Sequence, residues 1–127
     1  MAAELDYAYL ARWARVNADG TLTAIDASFV STPAPGGVLQ LAVAGRVRFT
    51  GAPYQAKADV TIAIGALTVS LSMDLSAVDA PSYADGRRHV LFALTTQIPV
   101  PEPGDCHVTV SLDGVLARKL VCSVTKA

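Results

Sequence analysis

The sequence predicts an all-β protein: a two-sheet antiparallel β-sandwich with Greek-key connections, immunoglobulin-like or C2-like, with about eight strands. Apolar and polar residues alternate along several segments, and turn-forming residues separate these segments. The clearest case is residues 106–124, in which two such runs flank Asp113-Gly114, a strong hairpin signal. The 127 residues, 52% of them hydrophobic, fit a single β-sandwich domain over residues 1–127 that buries a core without metals or disulfides.

Composition and charge argue against several classes of protein. Only 17% of the residues are charged, which is atypical of a disordered tail. The net charge is −1, with 10 basic and 11 acidic residues scattered along the chain, so we expect no nucleic-acid partner. The nearest approach to a basic cluster is Arg87-Arg88-His89, which beside a glycine is more typical of a solvated loop than of a phosphate clamp.

The chain carries no sequence signal for a membrane. Its first residues lack a basic region followed by an apolar one, and no stretch reaches ~18 uninterrupted apolar residues. We therefore expect no secretory signal, no transmembrane helix, no membrane partner and a cytoplasmic location.

The N-terminal segment fits two patterns. Apolar residues at positions 5, 9, 13 and 16 recur at helical spacing, with acidic residues before them and arginines near the end. Read with period two, positions 7, 9, 11 and 13 share one face of a strand. Because Asn17–Gly20 forms a tight turn into the β-rich residues 21–25, we predict that Tyr7–Val16 is a strand of a hairpin, although periodicity alone favours a helix.

The middle of the chain predicts a loop, a strand and a second hairpin. Ser31–Gly37 has the composition of a loop. In residues 39–49, apolar side chains at 39, 41, 43, 47 and 49 face one way, and polar ones at 40, 46 and 48 face the other. Gly45 indicates a bulge or a close backbone approach. Residues 57–64 and 67–74 alternate around Gly65-Ala66, and Met73 fits core filling.

The next segment, Leu75–His89, contains Pro81 and Gly86 and keeps no period, which predicts a connection of about 13–15 residues. We interpret it as a Greek-key crossover between the sheets, although connections of this length are sometimes functional. Val90–Ile98 is predicted to be a strand, which the proline-rich residues 99–104 end.

The C-terminal hairpin has two possible registers. A two-residue loop at Asp113-Gly114 places the apolar residues of the second strand on the face opposite those of the first. One extra loop residue, as in a bulged turn, pairs Leu112 with Leu116 and Cys106 with Cys122. We predict the bulged turn, although it brings Arg118 onto the apolar side. The predicted core-facing residues are Val108, Val110, Leu112, Leu120, Cys122 and Val124.

Metal and redox sites find little support. We predict that Cys106 and Cys122 are buried neighbours and reduced, a cross-strand disulfide being the alternative. Zinc coordination by these cysteines and His107 is disfavoured, because adjacent strand residues point to opposite faces. A C2-like calcium site needs several aspartates at one end of the fold. The candidate aspartates are dispersed: Asp79, Asp85 and Asp105.

We predict that the protein is not an enzyme, with no catalytic, cofactor-binding or metal-binding residue and no cofactor. Only His89 and His107 could serve as the base of a nucleophilic site. Ser76 and Ser82 could approach His89, but their spacing does not require it. The sequence has no phosphate-binding glycine loop, paired-carboxylate motif, HExxH or GxSxG.

Several stretches together resemble a widespread bacterial family of uncharacterised small β-sandwich proteins. The resemblance covers nearly the whole chain and rests on turns and strand patterns: Asp6–Ala11, Asp19–Ile25, a proline-containing loop into Leu39–Phe49, Val90–Ile98, Pro103-Gly104 and the Asp113-Gly114 hairpin. It implies a sandwich of about eight strands and a strand at Tyr7–Val16, but no activity, cofactor or catalytic residue. This chain has Cys106 or His107 where the family tends to carry an aromatic residue.

The function that we expect is that of a non-enzymatic interaction or structural module, which binds a protein partner or a second copy of itself through sheet edges or loop ends. The alternative is a small-ligand binder or a hydrolase that uses the Leu75–His89 connection and His89.

Overall fold

The computed structural model describes residues 3–126 and confirms the all-β class, with ten strands rather than about eight. A short 3-10 helix at Pro35–Gly37 precedes the fifth strand. The strands are β1 (Ala3–Ala11), β2 (Trp13–Val16), β3 (Leu22–Ile25), β4 (Ser31–Pro33), β5 (Val38–Phe49), β6 (Gln55–Ile64), β7 (Leu67–Ser76), β8 (Arg88–Pro99), β9 (Gly104–Leu112) and β10 (Val115–Thr125).

The strands form two packed sheets and one additional hairpin. One sheet has the order β1-β5-β8, and the other has the order β4-β10-β9-β6-β7. Neighbouring strands are antiparallel except β4, which runs parallel to β10. Because β5 and β8 pair while β6 and β7 lie in the opposite sheet, the chain crosses between the sheets as a Greek key does. The order is that of an immunoglobulin-like sandwich.

One core fills the space between the sheets. The predicted apolar faces of β5 and β6 point into it, and their residues are buried. Its largest fully buried side chains are Phe49, Phe92, Leu39, Leu41, Ile62, Ile98 and Leu112. The apolar side chains of β7 are only half-buried except Leu75, so the core is less completely covered along this strand.

The predicted single strand over Tyr7–Val16 is wrong in one respect, because the chain bends at Arg12. β1 pairs with β5, whereas β2 pairs with β3 and packs over the outer face of the three-stranded sheet. The Thr95 hydroxyl of β8 donates to the Ala14 carbonyl at 3.2 Å. This third layer fits closely because its contact is made of small side chains: Ala11, Ala14, Ala42 and Ala44.

Two further predictions need correction. Ser31–Gly37 is not a loop throughout, since Ser31–Pro33 pairs with the end of β10. In the C-terminal hairpin, Leu112 pairs with Val115 across a two-residue turn, in which Asp113 and Gly114 both have positive φ, as a type I′ turn requires.

The extra residue of that hairpin lies inside β10, between Leu116 and Arg118. The predicted pair of Leu112 with Leu116 is therefore wrong, whereas the pair of Cys106 with Cys122 is confirmed. Of the six predicted core-facing residues, five are buried and Leu120 is half-buried. Arg118 stays exposed, because it lies where β10 has no strand on its other side.

Gly45 marks a close backbone approach. A Cβ atom at this position would lie 2.9 Å from the Phe92 ring and still closer to the Tyr7 carbonyl oxygen. The register of β5 is continuous here, and the bulge lies in β1, between Leu5 and Tyr7.

Candidate functional site

An ion-pair network lies on the outer face of the three-stranded sheet, centred on Asp6. The β1 bulge includes this residue, and its side chain is 11% exposed. Arg46 Nε donates to Asp6 Oδ2 at 2.9 Å, and Arg48 Nη1 lies 3.3 Å from Oδ1. His89 Nε2 lies 3.4 Å from Oδ2. Glu4 completes the network through Arg48, and this hydrogen bond raises the pKa of the Arg48 guanidinium.

Three aromatic rings surround this network. The Tyr7 and Tyr9 rings are stacked at 6.3 Å and 15°. The Tyr83 ring lies 4.4 Å from the imidazole of His89, and the Arg46 guanidinium lies 5.4 Å from the Tyr7 ring centre. Burial, with a contribution from the neighbouring Tyr7, raises the pKa of the Tyr9 phenol.

Arg46 and His89 of the network, together with the three rings, line an open cleft of about 720 Å³, which we call the His89 cleft. Its floor is the sheet, one wall is the β2–β3 hairpin, and the other is the connection between β7 and β8. The lining residues are Tyr7, Tyr9, Val16, Gly20, Thr21, Leu22, Arg46, Pro81, Tyr83, His89, Val90 and Leu91.

His89 lies in β8 rather than in the connection, and it contacts an acid but no nucleophile. Ser76 Oγ accepts a hydrogen bond from the Val78 amide, and Ser82 Oγ donates to the Tyr83 carbonyl. Neither serine contacts His89 in the part of the chain that the structure describes. The Asp6–His89 pair therefore lacks the hydroxyl or thiol that nucleophilic catalysis needs.

The two cysteines lie in the core and do not line the His89 cleft. Cys106 and Cys122 are paired across β9 and β10, both are buried, and both are free thiols. Their mutual hydrogen bond and burial raise the pKa of Cys106. His107 is exposed on the opposite face of β9, and residues 3–126 contain no group of three potential ligands that could hold a metal ion. The reduced state in the cell stays a prediction.

The sandwich also has a free edge at β7. This strand ends the five-stranded sheet, and its only pairing among residues 3–126 is to β6. The ten pairs between β6 and β7 run without a bulge, and β7 contains no proline or glycine and a single charged residue, Asp74.

The other outer strands carry features that hinder edge-to-edge pairing. β1 has a bulge and two acidic residues, and β8 begins with Arg88 and ends in Pro99. β10 has a bulge followed by Arg118-Lys119, and β4 is three residues long and ends in Pro33. Among the described outer strands of the two packed sheets, β7 alone has neither a bulge nor a proline.

Sequence reasoning singled out His89 but missed Asp6, Arg46 and Tyr83. The alternation in β5 places Arg46 and Arg48 on its polar face, and acids stand at positions 4 and 6. These residues become neighbours only once the β1–β5 register is known.

The chain matches none of the protein-family models and none of the curated proteins with which it was compared. The resemblance to a bacterial β-sandwich family therefore stays a prediction. No helix among the described residues is long and apolar enough to cross a membrane.

Proposed function

We propose that the protein is a non-enzymatic, self-associating interaction module in which β7 pairs antiparallel with β7 of a second copy. The observation that carries this proposal is the unprotected ten-residue edge of β7. Natural proteins usually block such edges, since unpaired N–H and C=O groups invite another strand. The absence of a nucleophile beside His89, within the described residues, supports a non-catalytic role.

The backbone groups of β7 are arranged for this pairing. Gly65-Ala66 is a two-residue loop, so the flanking pair Ile64 and Leu67 exchanges hydrogen bonds. From Leu67 onward, every second residue of β7 turns its N–H and C=O towards β6. The residues between them, at positions 68, 70, 72 and 74, turn theirs towards the free edge.

The side chains of β7 also suit a second copy. In an antiparallel pair of identical strands the two-fold axis is perpendicular to the sheet, so corresponding side chains of the two copies lie on one face. The half-buried residues Val69, Leu71 and Met73 would then meet their equivalents and extend the core. Half-buried Val90 and Leu94 of β8 also contact this core.

The position of the single charged residue of β7 is compatible with pairing to a second copy. Asp74 lies towards one end of β7. An axis near Ser70 and Leu71 places each Asp74 opposite residues 66–68 of the partner, so that the two aspartates do not face each other. The two free, buried thiols agree with a cytoplasmic location, which we include in the proposal.

Sedimentation equilibrium from micromolar to submillimolar protein tests the pairing. We expect the wild-type chain to reach twice its 13.2 kDa mass. Ser70→Pro removes an edge-facing N–H, and proline is tolerated in an edge strand. Ser70→Lys places two like charges, one from each copy, close to each other across the two-fold axis. Both variants should fold and remain monomeric at concentrations at which the wild-type protein is dimeric.

Val121→Lys is the matched control, because Val121 is 59% exposed on another strand of the same sheet. This variant changes the net charge as Ser70→Lys does and should still form the dimer. A strictly monomeric wild-type chain overturns the proposal. A dimer that survives both Ser70 variants also overturns it.

A further inference from the structure

The His89 cleft combines a partly free arginine with aromatic walls. We propose that it binds a small organic anion that carries an aromatic ring. The volume of about 720 Å³ lies within the range of about 300–1,000 Å³ that is typical of small-molecule sites. This binding is independent of β7, which lies in the other sheet.

Arg46 supplies the contact for the anion. Its Nε is held by Asp6 at 2.9 Å, and its side chain is 40% exposed. Neither terminal nitrogen of Arg46 makes a hydrogen bond to another residue between positions 3 and 126. These two nitrogens can donate together to the two oxygens of a carboxylate, a geometry that a lysine cannot provide. Asp6 acts as a positioning residue, since it fixes the orientation of the guanidinium.

The charges around the cleft select for an anion. Its lining contains Arg46 and His89 but no aspartate or glutamate among the described residues. The neighbouring acids are already paired: Asp6 binds Arg46, Glu4 binds Arg48, and Asp85 binds Arg87. Asp19, beside the lining residue Gly20, accepts hydrogen bonds from Thr21. An anion in the cleft therefore meets a positive guanidinium without an unpaired carboxylate beside it.

The aromatic walls select for a ring. The stacked Tyr7 and Tyr9 rings stand on β1, in the floor of the cleft, and Tyr83 stands in the wall formed by the connection between β7 and β8, its ring tilted by 37° against the imidazole of His89. Aromatic rings pack favourably on one another at centroid separations of about 4.5–7 Å. The Tyr9 phenol, like any tyrosine at neutral pH, is protonated and can donate a hydrogen bond.

Three probes separate the two halves of this recognition: benzoate has the ring and the charge, acetate has only the charge, and benzyl alcohol has only the ring. Amide chemical shifts in two-dimensional NMR report where each probe binds. For a ligand as small as benzoate we expect a dissociation constant of about a millimolar. Benzoate should shift Tyr7, Tyr9, Arg46 and Tyr83, and both partial probes should bind at least about tenfold more weakly.

Two variants and one control complete the test. Arg46→Gln should weaken benzoate at least about tenfold, because it removes a charge-assisted hydrogen-bond pair. Tyr83→Ala should weaken benzoate but not acetate, and it is safe for the fold because Tyr83 is 52% exposed. Arg118→Gln, an exposed arginine of β10, should leave benzoate binding unchanged.

Three results would overturn the proposal. The first is benzoate shifts that are absent from the cleft or do not saturate. The second is acetate binding as tightly as benzoate. The third is Tyr83→Ala or a folded Arg46→Gln variant that binds benzoate as the wild type does.

Discussion

Gly45 of β5 lies close to both neighbouring strands of the three-stranded sheet. Its missing side chain leaves room for the Tyr7 carbonyl on one side and the Phe92 ring on the other. The carbonyl belongs to the backbone of the β1 bulge and cannot turn away as a side-chain end could. Any added atom at this position must therefore move a strand.

We predict that Gly45→Ala lowers the free energy of unfolding by about 1–3 kcal/mol through overpacking. Urea denaturation followed by circular dichroism measures the change. Gly104→Ala is the control, because a Cβ there would meet nothing within 4 Å, and it should change stability by less than about 0.5 kcal/mol. Equal stability of the two variants would contradict the close approach.

At the scale of the elements, the turn of the C-terminal hairpin helps to hold β9 to its neighbour β6. Asp113 has a φ of 48°, in the left-handed region, and its amide donates to the Lys57 carbonyl at 2.9 Å. Its Oδ1 accepts a hydrogen bond from the Lys57 amide at 2.8 Å. The turn residue thus extends the pairing between β9 and β6 by one step.

Asp113→Ala should cost about 1–2 kcal/mol, because it removes the bond to Lys57 and places alanine in the left-handed region. Asp113→Asn should stay within about 0.5 kcal/mol of the wild type, since asparagine tolerates this φ and keeps an acceptor oxygen. Thermal and urea unfolding of the two variants give the comparison. Similar losses for both would show that the carboxylate charge matters rather than the geometry.

Alternation predicted the strands and their buried faces well, because a buried face fixes side-chain parity. It could not place the extra residue of the C-terminal hairpin. An extra residue in the turn and an extra residue at Ala117 of β10 lead to the same pairing of Cys106 with Cys122. Alternation could not predict the bend at Arg12 either, since both halves of that segment are extended and only tertiary packing separates them.

The candidate sites were harder to predict than the fold. His89 was considered from its sequence neighbours, yet its partner Asp6 lies far away in the sequence and comes close only through β5. The edge position of β7 was equally hidden, because its alternation is the same as that of a paired strand. Side-chain parity is local information, whereas strand order depends on the whole chain.

At the scale of the molecule, pairing through β7 would couple stability to concentration. A dimer that unfolds to separate chains gains stability with protein concentration. For a chain of this length we expect Tm to rise by about 2–3 °C for each tenfold increase in concentration. Differential scanning calorimetry over such a series measures this. The Tm of Ser70→Lys should stay constant, and a constant wild-type Tm would argue against the dimer.

The uneven protection of the outer strands also limits how large an assembly can grow. Pairing β7 with its own copy uses the same surface on both chains, so no unprotected edge remains exposed at either end. The joined ten-stranded sheet would end on both sides at β4 and β10, where a proline, a bulge and two cations discourage further addition. Growth would therefore stop at a closed pair instead of continuing into a filament.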